Sequence, residues 1–156
     1  MESTFIKTPL GIAKITGDEK GISVISISDE GDSSSTIPVF LQESVAQLND
    51  YFEGKRTDFS FKLNPSDTAF QQKVWVALLE IPFGQTVSYL ELSKKLGDGK
   101  AIRAVASANG KNPLWIVVPC HRVIGNDGSL TGYAGGLWRK NWLLELENPS
   151  NQQSLF

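Results

Sequence analysis

The chain has 156 residues, 40% of them hydrophobic and 21% charged, which are ordinary values for a globular protein. No apolar run approaches the roughly 20 residues of a membrane span, and the start, Met1-Glu2-Ser3-Thr4, lacks the basic and apolar parts of a signal peptide. A single cysteine cannot form an internal disulfide. We therefore expect a cytoplasmic protein with no membrane partner.

Charge is unevenly distributed along the chain, although the net charge is only −2. Residues 1–84 carry seven Lys or Arg and twelve Asp or Glu, whereas residues 85–143 carry eight against three. Such segregation favours a basic face in the later part of the chain, suited to a polyanion. A solvated surface with chance asymmetry explains the counts equally well.

The first third of the sequence has the pattern of a small sheet. Residues 5–8, 11–16 and 22–28 alternate β-branched and polar side chains, which predicts three strands. Residues 38–52 have helical spacing, and residues 59–63 alternate again and predict a fourth strand. Nothing catalytic stands out before about residue 65, so this part is interpreted as scaffold.

The later part is mostly helical. Apolar spacing predicts a helix over residues 68–81, a short helix opened by the capping box Ser-x-x-Glu at residues 88–91, and another over 101–109. The last two resemble a helix-turn-helix. An apolar strand over 115–118 is predicted to lead into Cys120, and residues 137–147 predict a final helix.

The only cysteine and the only histidine are neighbours, Cys120 and His121. A lone cysteine is more often a small buried hydrophobe than a nucleophile. On an extended segment, consecutive side chains also point to opposite faces. His121 can accept the thiol proton if the backbone turns here, or through one bridging water. The residues alone leave both interpretations open.

Five sequence blocks follow one another at tight spacing after residue 100. The blocks are Arg103-Ala104-Val105, Asn109-Gly110-Lys111-Asn112-Pro113, Val118-Pro119-Cys120-His121-Arg122-Val123-Ile124, Gly132-Tyr133-Ala134-Gly135-Gly136 and Lys140-Asn141-Trp142-Leu143-Leu144-Glu145-Leu146-Glu147. Together they resemble the O6-alkylguanine-DNA alkyltransferases, also called methylated-DNA–protein-cysteine methyltransferases. The resemblance is strong over residues 66–147 and loose over 1–65.

The resemblance implies an α+β fold of two subdomains. Residues 1–65 correspond to a small, strand-rich, RNase H-like scaffold. Residues 66–147 correspond to a helical, winged-helix-like subdomain that binds DNA and accepts the alkyl group. Residues 148–156 are polar and are predicted to form a mobile tail.

The resemblance also implies the reacting groups. Cys120 is the alkyl acceptor, His121 its base, and Glu147 the carboxylate that holds the imidazole. Asn112 matches the asparagine that ties the recognition helix to the active-site turn. Arg122 is left open between a structural ion pair and a substrate contact.

A second set of residues is implied for DNA recognition. Tyr89 matches the tyrosine that approaches the lesion's phosphate and protonates the leaving guanine. Arg103 matches the arginine that enters the base stack and replaces the extruded nucleotide. Tyr133, Ala134 and Val123 are expected to line the base pocket.

The implied activity is a single-turnover suicide transfer from O6-alkylguanine, and also O4-alkylthymine, in duplex DNA to the protein's own cysteine. A thiolate suits displacement at an alkyl carbon, and no ordinary reductant reverses the thioether product. One thiol with no resolving partner fits this use, and no metal or cofactor is expected. Two alternatives stay open: a lesion-sensing DNA-binding protein without transfer, and a cysteine hydrolase or acyltransferase.

The chain also departs from the family pattern. Ala106 and Ser107 stand where many members have glycine, and Trp115 lies where members vary near the alkyl pocket. The last residues resemble the pentapeptide that binds the bacterial sliding clamp, through Gln152, Ser154, Leu155 and Phe156. We expect a monomer.

Overall fold

The computed structural model describes residues 1–97, 101–130 and 132–149. The chain forms two compact units. The first contains residues 1–66 and 113–117, and the second contains residues 67–112 and those from 118 onward. Antiparallel strands dominate the first and helices the second, so the mixed α+β class predicted from the sequence is confirmed.

The first unit is built on an antiparallel meander of three strands. These are β1 (Glu2–Thr8), β2 (Gly11–Asp18) and β3 (Gly21–Ser28), in the order β1-β2-β3. Ile15 pairs with Ile25, and both are fully buried, as expected for alternating side chains with one face on a core. All three strands were predicted.

One helix completes this core. A 3-10 turn at Val39–Leu41 leads into α1 (Gln42–Phe52), which buries Val45, Leu48 and Tyr51. The predicted helix over 38–52 is thus confirmed, with its first turn in 3-10 form.

Two predicted strands are wrong. Residues 59–63 form no strand, and Leu63 makes only an isolated bridge to Ile22. Residues 115–118 also form no strand, because the backbone reverses at Ile116, which has a φ of 76°. Trp115 O accepts a 2.8 Å hydrogen bond from Val117 N across this γ-turn. A positive φ at a β-branched residue cannot be inferred from an apolar run.

The second unit contains four helices among its described residues. They are α2 (Ala69–Leu79), α3 (Tyr89–Lys95), α4 (Ile102–Gly110) and α5 (Leu137–Glu147). Two short parallel strands, β4 (Val87–Ser88) and β5 (Val123–Ile124), precede α3 and follow Arg122. None of the helices in the described residues is long and apolar enough to cross a membrane.

Side-chain caps fix where two of these helices begin. Thr68 accepts a hydrogen bond from the Gln71 N–H, and the Gln71 side chain accepts one from the Thr68 N–H. Ser88 and Glu91 make the same reciprocal pair, so the predicted capping box is confirmed. The linker between α3 and α4, residues 98–100, lies outside the described residues.

Candidate active site

Cys120 lies at the start of a tight turn. Cys120 N donates a 2.8 Å hydrogen bond to Val118 O across Pro119, and Cys120–Arg122 then form one 3-10 turn. The backbone therefore turns at this point, which removes the objection that consecutive side chains of an extended segment diverge. Cys120 and His121 are both buried.

Two asparagines hold this turn: Asn109 in the last turn of α4 and Asn112 two residues beyond its end. Asn112 Nδ2 donates a 2.7 Å hydrogen bond to Val118 O, and the Asn112 side chain also hydrogen-bonds to the Cys120 thiol. Asn109 Nδ2 donates to Cys120 O at 3.4 Å. Asn112 was predicted to tie this helix to the turn, and its contacts place it there. The sequence did not single out Asn109, which lies one helical turn earlier.

The thiol of Cys120 is protonated at neutral pH. Burial raises its pKa to about 11, although the hydrogen bond from Asn112 and the positive charge of Lys140 oppose that rise. A thiol is a poor nucleophile compared with a thiolate. The group therefore needs a base to accept its proton.

His121 is placed for that role by Glu147, at the end of α5. His121 Nε2 lies 2.7 Å from Glu147 Oε2, and both side chains are almost fully buried. A neutral imidazole that donates from Nε2 keeps its lone pair on Nδ1. That atom is buried and has no hydrogen-bond partner in the described part of the chain. Nδ1 is thus the free proton acceptor next to Cys120 in sequence.

Arg122 binds the same carboxylate with two of its three guanidinium nitrogens. Nε lies 2.7 Å from Glu147 Oε1, and Nη2 lies 3.0 Å from Oε2. Nη1 donates to Ile81 O at 2.7 Å. The sequence left Arg122 open between an ion pair and a substrate contact, and these contacts assign it to the ion pair.

The loop before β4 closes around the carboxylate as well. Gly84 N donates to Glu147 Oε1 at 3.3 Å, and Asn148 Nδ2 donates to Gly84 O at 3.1 Å. Gly84 has a φ of 82°, and a Cβ there would lie 3.1 Å from Glu147 O. Glycine therefore fits this position for both its conformation and its size.

These contacts set the charge states of Glu147 and His121. Burial alone would raise the pKa of Glu147, but hydrogen bonds from His121 and Arg122 hold that pKa far below its ordinary value. Burial lowers the pKa of His121; Glu147 opposes this change, and the charges of Arg122 and Lys140 add to it. At neutral pH the site accordingly holds a carboxylate and a neutral imidazole.

Lys140 is a charged neighbour of Cys120 and His121 that the sequence did not single out. It is fully buried on α5, and its Nζ donates to Val123 O at 2.6 Å and to Gly132 O at 3.3 Å. Burial lowers its pKa to about 8, against the opposing influence of Cys120. The sequence counted Lys140, Arg122 and Arg139 toward a basic surface, but all three are buried. That surface is therefore smaller than the charge count suggested.

A cavity of about 580 Å³ lies in the same unit. Tyr89, Arg103, Tyr133 and Ala134 all line it, so the structure brings together four residues predicted to handle one nucleotide. Val123 is fully buried and is not among the residues lining the cavity.

Tyr133 lines this cavity and also lies within electrostatic reach of Cys120. Burial raises the pKa of the Tyr133 hydroxyl well above its ordinary value, and a thiolate at Cys120 raises it further. Cys120, His121, Asn112 and Glu147 do not line the cavity themselves. Tyr133 is thus the lining residue on which Cys120 acts electrostatically.

Both parts of the sequence match known families. Residues 69–149 match the DNA-binding domain of 6-O-methylguanine DNA methyltransferase, and residues 1–65 match its ribonuclease-like domain. A methylated-DNA–protein-cysteine methyltransferase of Methanosarcina barkeri is 45% identical, over 91% of this chain and 94% of its own. One of Mycobacterium tuberculosis is 57% identical over 67% of this chain and 63% of its own. This chain belongs to the 6-O-methylguanine DNA methyltransferase family.

Solved structures of the same family agree. The Mycobacterium tuberculosis O6-methylguanine methyltransferase is 43% identical, has a TM-score of 0.83, and is matched over 93% of this chain and 91% of its own. A complex of the Mycobacterium tuberculosis OGT with DNA is 44% identical, with a TM-score of 0.85 and the same coverage. The ribonuclease-like first part and the DNA-binding second part, both expected from the resemblance, are confirmed.

Within this methyltransferase family match, the DNA-binding domain contains α3, α4 and the whole Cys120 turn. Arg103 lies in the first turn of α4 and reaches the cavity. Ala106 lines the same cavity.

Proposed function

We propose that this protein repairs O6-alkylguanine in duplex DNA by moving the alkyl group irreversibly onto Cys120. The observation that carries the proposal is the buried Cys120-His121-Glu147 cluster, in the same unit as a cavity lined by Tyr89 and Arg103. A protein that only sensed the lesion would need Arg103 and Tyr89 but no activated thiol. The function is therefore direct reversal, with each molecule acting once.

The reaction follows from the charges of the site. His121 Nδ1 takes the proton of the Cys120 thiol, directly or through one bridging water, while Glu147 stabilises the imidazolium that forms. The thiolate attacks the alkyl carbon, an S–C bond forms, and the C–O6 bond breaks with its electron pair leaving on guanine. Tyr89 protonates the departing base. The thioether cannot be reduced back to a thiol, so the alkylated protein is an end product of the reaction.

DNA recognition is assigned to the residues around the cavity. An alkyl carbon inside a duplex is out of reach, so the nucleotide must be extruded, at a cost of about a few kcal/mol. We assign Arg103 to the vacated place in the stack, and Tyr133 with Ala134 to the base pocket. Val123 supports that pocket through the carbonyl that Lys140 binds. O4-alkylthymine is a second expected substrate, on the strength of the family resemblance.

Intact-mass spectrometry tests the proposal. After incubation with a duplex carrying O6-methylguanine, we expect the protein to gain one methylene and a peptide map to place it on Cys120. Cys120→Ser should gain nothing. An unmodified wild-type protein that still binds the lesion would support a sensor, and release of product with no mass change would support a hydrolase.

We also propose that the C-terminal residues bind the bacterial sliding clamp. Gln152, Ser154, Leu155 and Phe156 lie outside the described residues, and only their sequence supports the idea. An apolar Leu-Phe pair that follows a polar stretch is typical of a docking peptide. Purified clamp should retain the full chain but not a variant that ends at residue 151, and equal retention of both would refute the proposal.

We infer that the protein acts as a cytoplasmic monomer. Every proposed reacting group lies within one unit of one chain, and a free cysteine suits a reducing compartment. Light scattering after size exclusion should give the mass of one chain, and a dimer would contradict this inference.

A further inference from the structure

Arg122 is the most heavily bonded charged group that the reaction scheme above does not use. Its guanidinium binds both oxygens of Glu147, and the third nitrogen binds Ile81 O. We propose that Arg122 is a positioning residue for alkyl transfer: it fixes the Glu147 carboxylate against His121 and withholds part of its negative charge, so that the imidazole stays neutral and ready to take a proton.

The geometric half of the proposal rests on the shared oxygen. Glu147 Oε2 lies 2.7 Å from His121 Nε2 and 3.0 Å from Arg122 Nη2. A two-point contact on a planar fork fixes the plane of a carboxylate, which a single contact does not. With that plane fixed, Oε2 meets Nε2 and holds the imidazole in the form whose Nδ1 can accept a proton.

The electrostatic half of the proposal rests on the opposing effects of nearby charges on the protonation of His121. The charged and titratable groups that act on His121 are Glu147 and Lys140 on α5 and Arg122 beside it. Glu147 favours the imidazolium, whereas Arg122 and Lys140 disfavour it. Without Arg122, the whole negative charge of Glu147 would act on His121. The imidazole would then bind its proton before the thiol could supply one.

A purely structural role for Arg122 makes a different prediction. A buried ion pair that only supports the fold changes stability when it is broken. If that were the whole role of Arg122, a folded variant without it would keep the wild-type titration midpoint of His121. The two roles are therefore separated by the titration of His121, which is the only histidine of the chain and gives one unambiguous imidazole signal by NMR.

The first experiment follows that signal without DNA, in wild type, Arg122→Met, Arg122→Lys and the control Arg56→Met. Arg56 belongs to the other unit and contacts Asp58. We expect the His121 midpoint to move to higher pH in Arg122→Met and to stay near wild type in Arg122→Lys, which keeps the charge, and in Arg56→Met. An unchanged midpoint in a folded Arg122→Met would overturn the electrostatic half.

The second experiment measures the rate of methyl transfer from O6-methylguanine duplex against pH, and it rests on the proposed function. Arg122→Met should be about tenfold slower than wild type on the acidic side of the profile, corresponding to one pH unit in the neutral imidazole fraction. Arg122→Lys should be slower across the whole pH range, because lysine cannot bind both oxygens. Wild-type rates in Arg122→Lys would overturn the geometric half.

The two experiments keep the separate claims apart. If wild type fails to transfer methyl at any pH, the proposed function fails, while the imidazole titration still tests Arg122. If Arg122→Met does not fold, Arg122→Lys decides. A midpoint near wild type with lower rates supports the proposal, and a midpoint well above wild type refutes it.

Discussion

The two units of this protein bury different kinds of side chain. The first buries no Asp, Glu, Lys, Arg or His, and its buried polar groups are only Thr4, Ser23, Ser44 and Gln47. Among its described residues, the second buries five acidic or basic side chains besides Cys120. These are His121, Arg122, Arg139, Lys140 and Glu147.

This contrast separates scaffold from chemistry. Buried charge is costly, and a buried ion pair is often less stable than well-packed apolar residues of the same volume. Charged side chains therefore stay at the surface where nothing requires their burial, as in the first unit. We attribute the buried charges of the second unit to the proposed chemistry, in which a buried thiol needs a base and the base needs a counter-ion.

The largest effect on rate is expected at His121. His121→Ala leaves the thiol without a proton acceptor, and general-base catalysis contributes about 10²–10⁴-fold. Single-turnover transfer should slow by a factor in that range. Gln47→Ala, which removes a buried polar group from the first unit, should leave the rate unchanged. Equal rates for His121→Ala and wild type would show that the thiol is activated without His121.

The largest effect on stability is expected at Glu147. Glu147→Ala leaves Arg122 buried without its counter-ion, which costs about 3–5 kcal/mol. The matched change in the first unit, Glu53→Ala, removes only the exposed pair with Lys55 and should leave urea unfolding unchanged. Similar unfolding midpoints for the two variants would contradict the contrast between the units.

A smaller effect is expected at Arg103. If Arg103 replaces an extruded nucleotide, Arg103→Ala should slow transfer from duplex DNA by about ten- to a hundredfold, because extrusion costs a few kcal/mol. Transfer from free O6-methylguanine base, which needs no extrusion, serves as the control and should not change. If the rate fell equally on both substrates, Arg103 would act at the alkyl group and not in the extrusion of the nucleotide.

The smallest effect is expected from acid. The folded-state pKa values of His121 and Glu147 both lie below their ordinary values. A group with a depressed pKa is stabilising above its unfolded pKa and loses that contribution as pH falls. Thermal stability should therefore begin to fall below about pH 6.5, where an unfolded histidine titrates, and fall further below about pH 4.3, where an unfolded glutamate does. His121→Gln should not show the first part of this decline. If that variant declines in the same way as wild type, a group other than His121 causes the first part.

Local patterns were enough to predict most elements. The three strands follow from alternation, and the starts of α2 and α3 follow from side chains that bind backbone N–H groups of the first turn. Residues 59–63 and 115–118 failed for one shared reason: alternating or apolar side chains indicate burial, but strand pairing depends on a partner elsewhere in the chain. At Ile116 the backbone conformation also contradicts the local preference of the residue.

The site was predictable only in part. The adjacency of Cys120 and His121 points to one place in the sequence, and the family resemblance supplies Glu147 from 26 residues away. Lys140 could not be distinguished from a surface lysine, because the local sequence does not show whether a charged residue on a helix is buried. The double contact of Arg122 on Glu147 likewise depends on where α5 ends in space, which no local pattern encodes.

The central claim is tested most directly by counting equivalents. A fixed amount of protein is mixed with a large excess of O6-methylguanine duplex, and the restored guanine is measured when the reaction stops. We expect one guanine per protein molecule, with every Cys120 methylated. Restoration of many guanines per protein, or restoration that leaves Cys120 unmodified, would contradict transfer to a thiol that is used once.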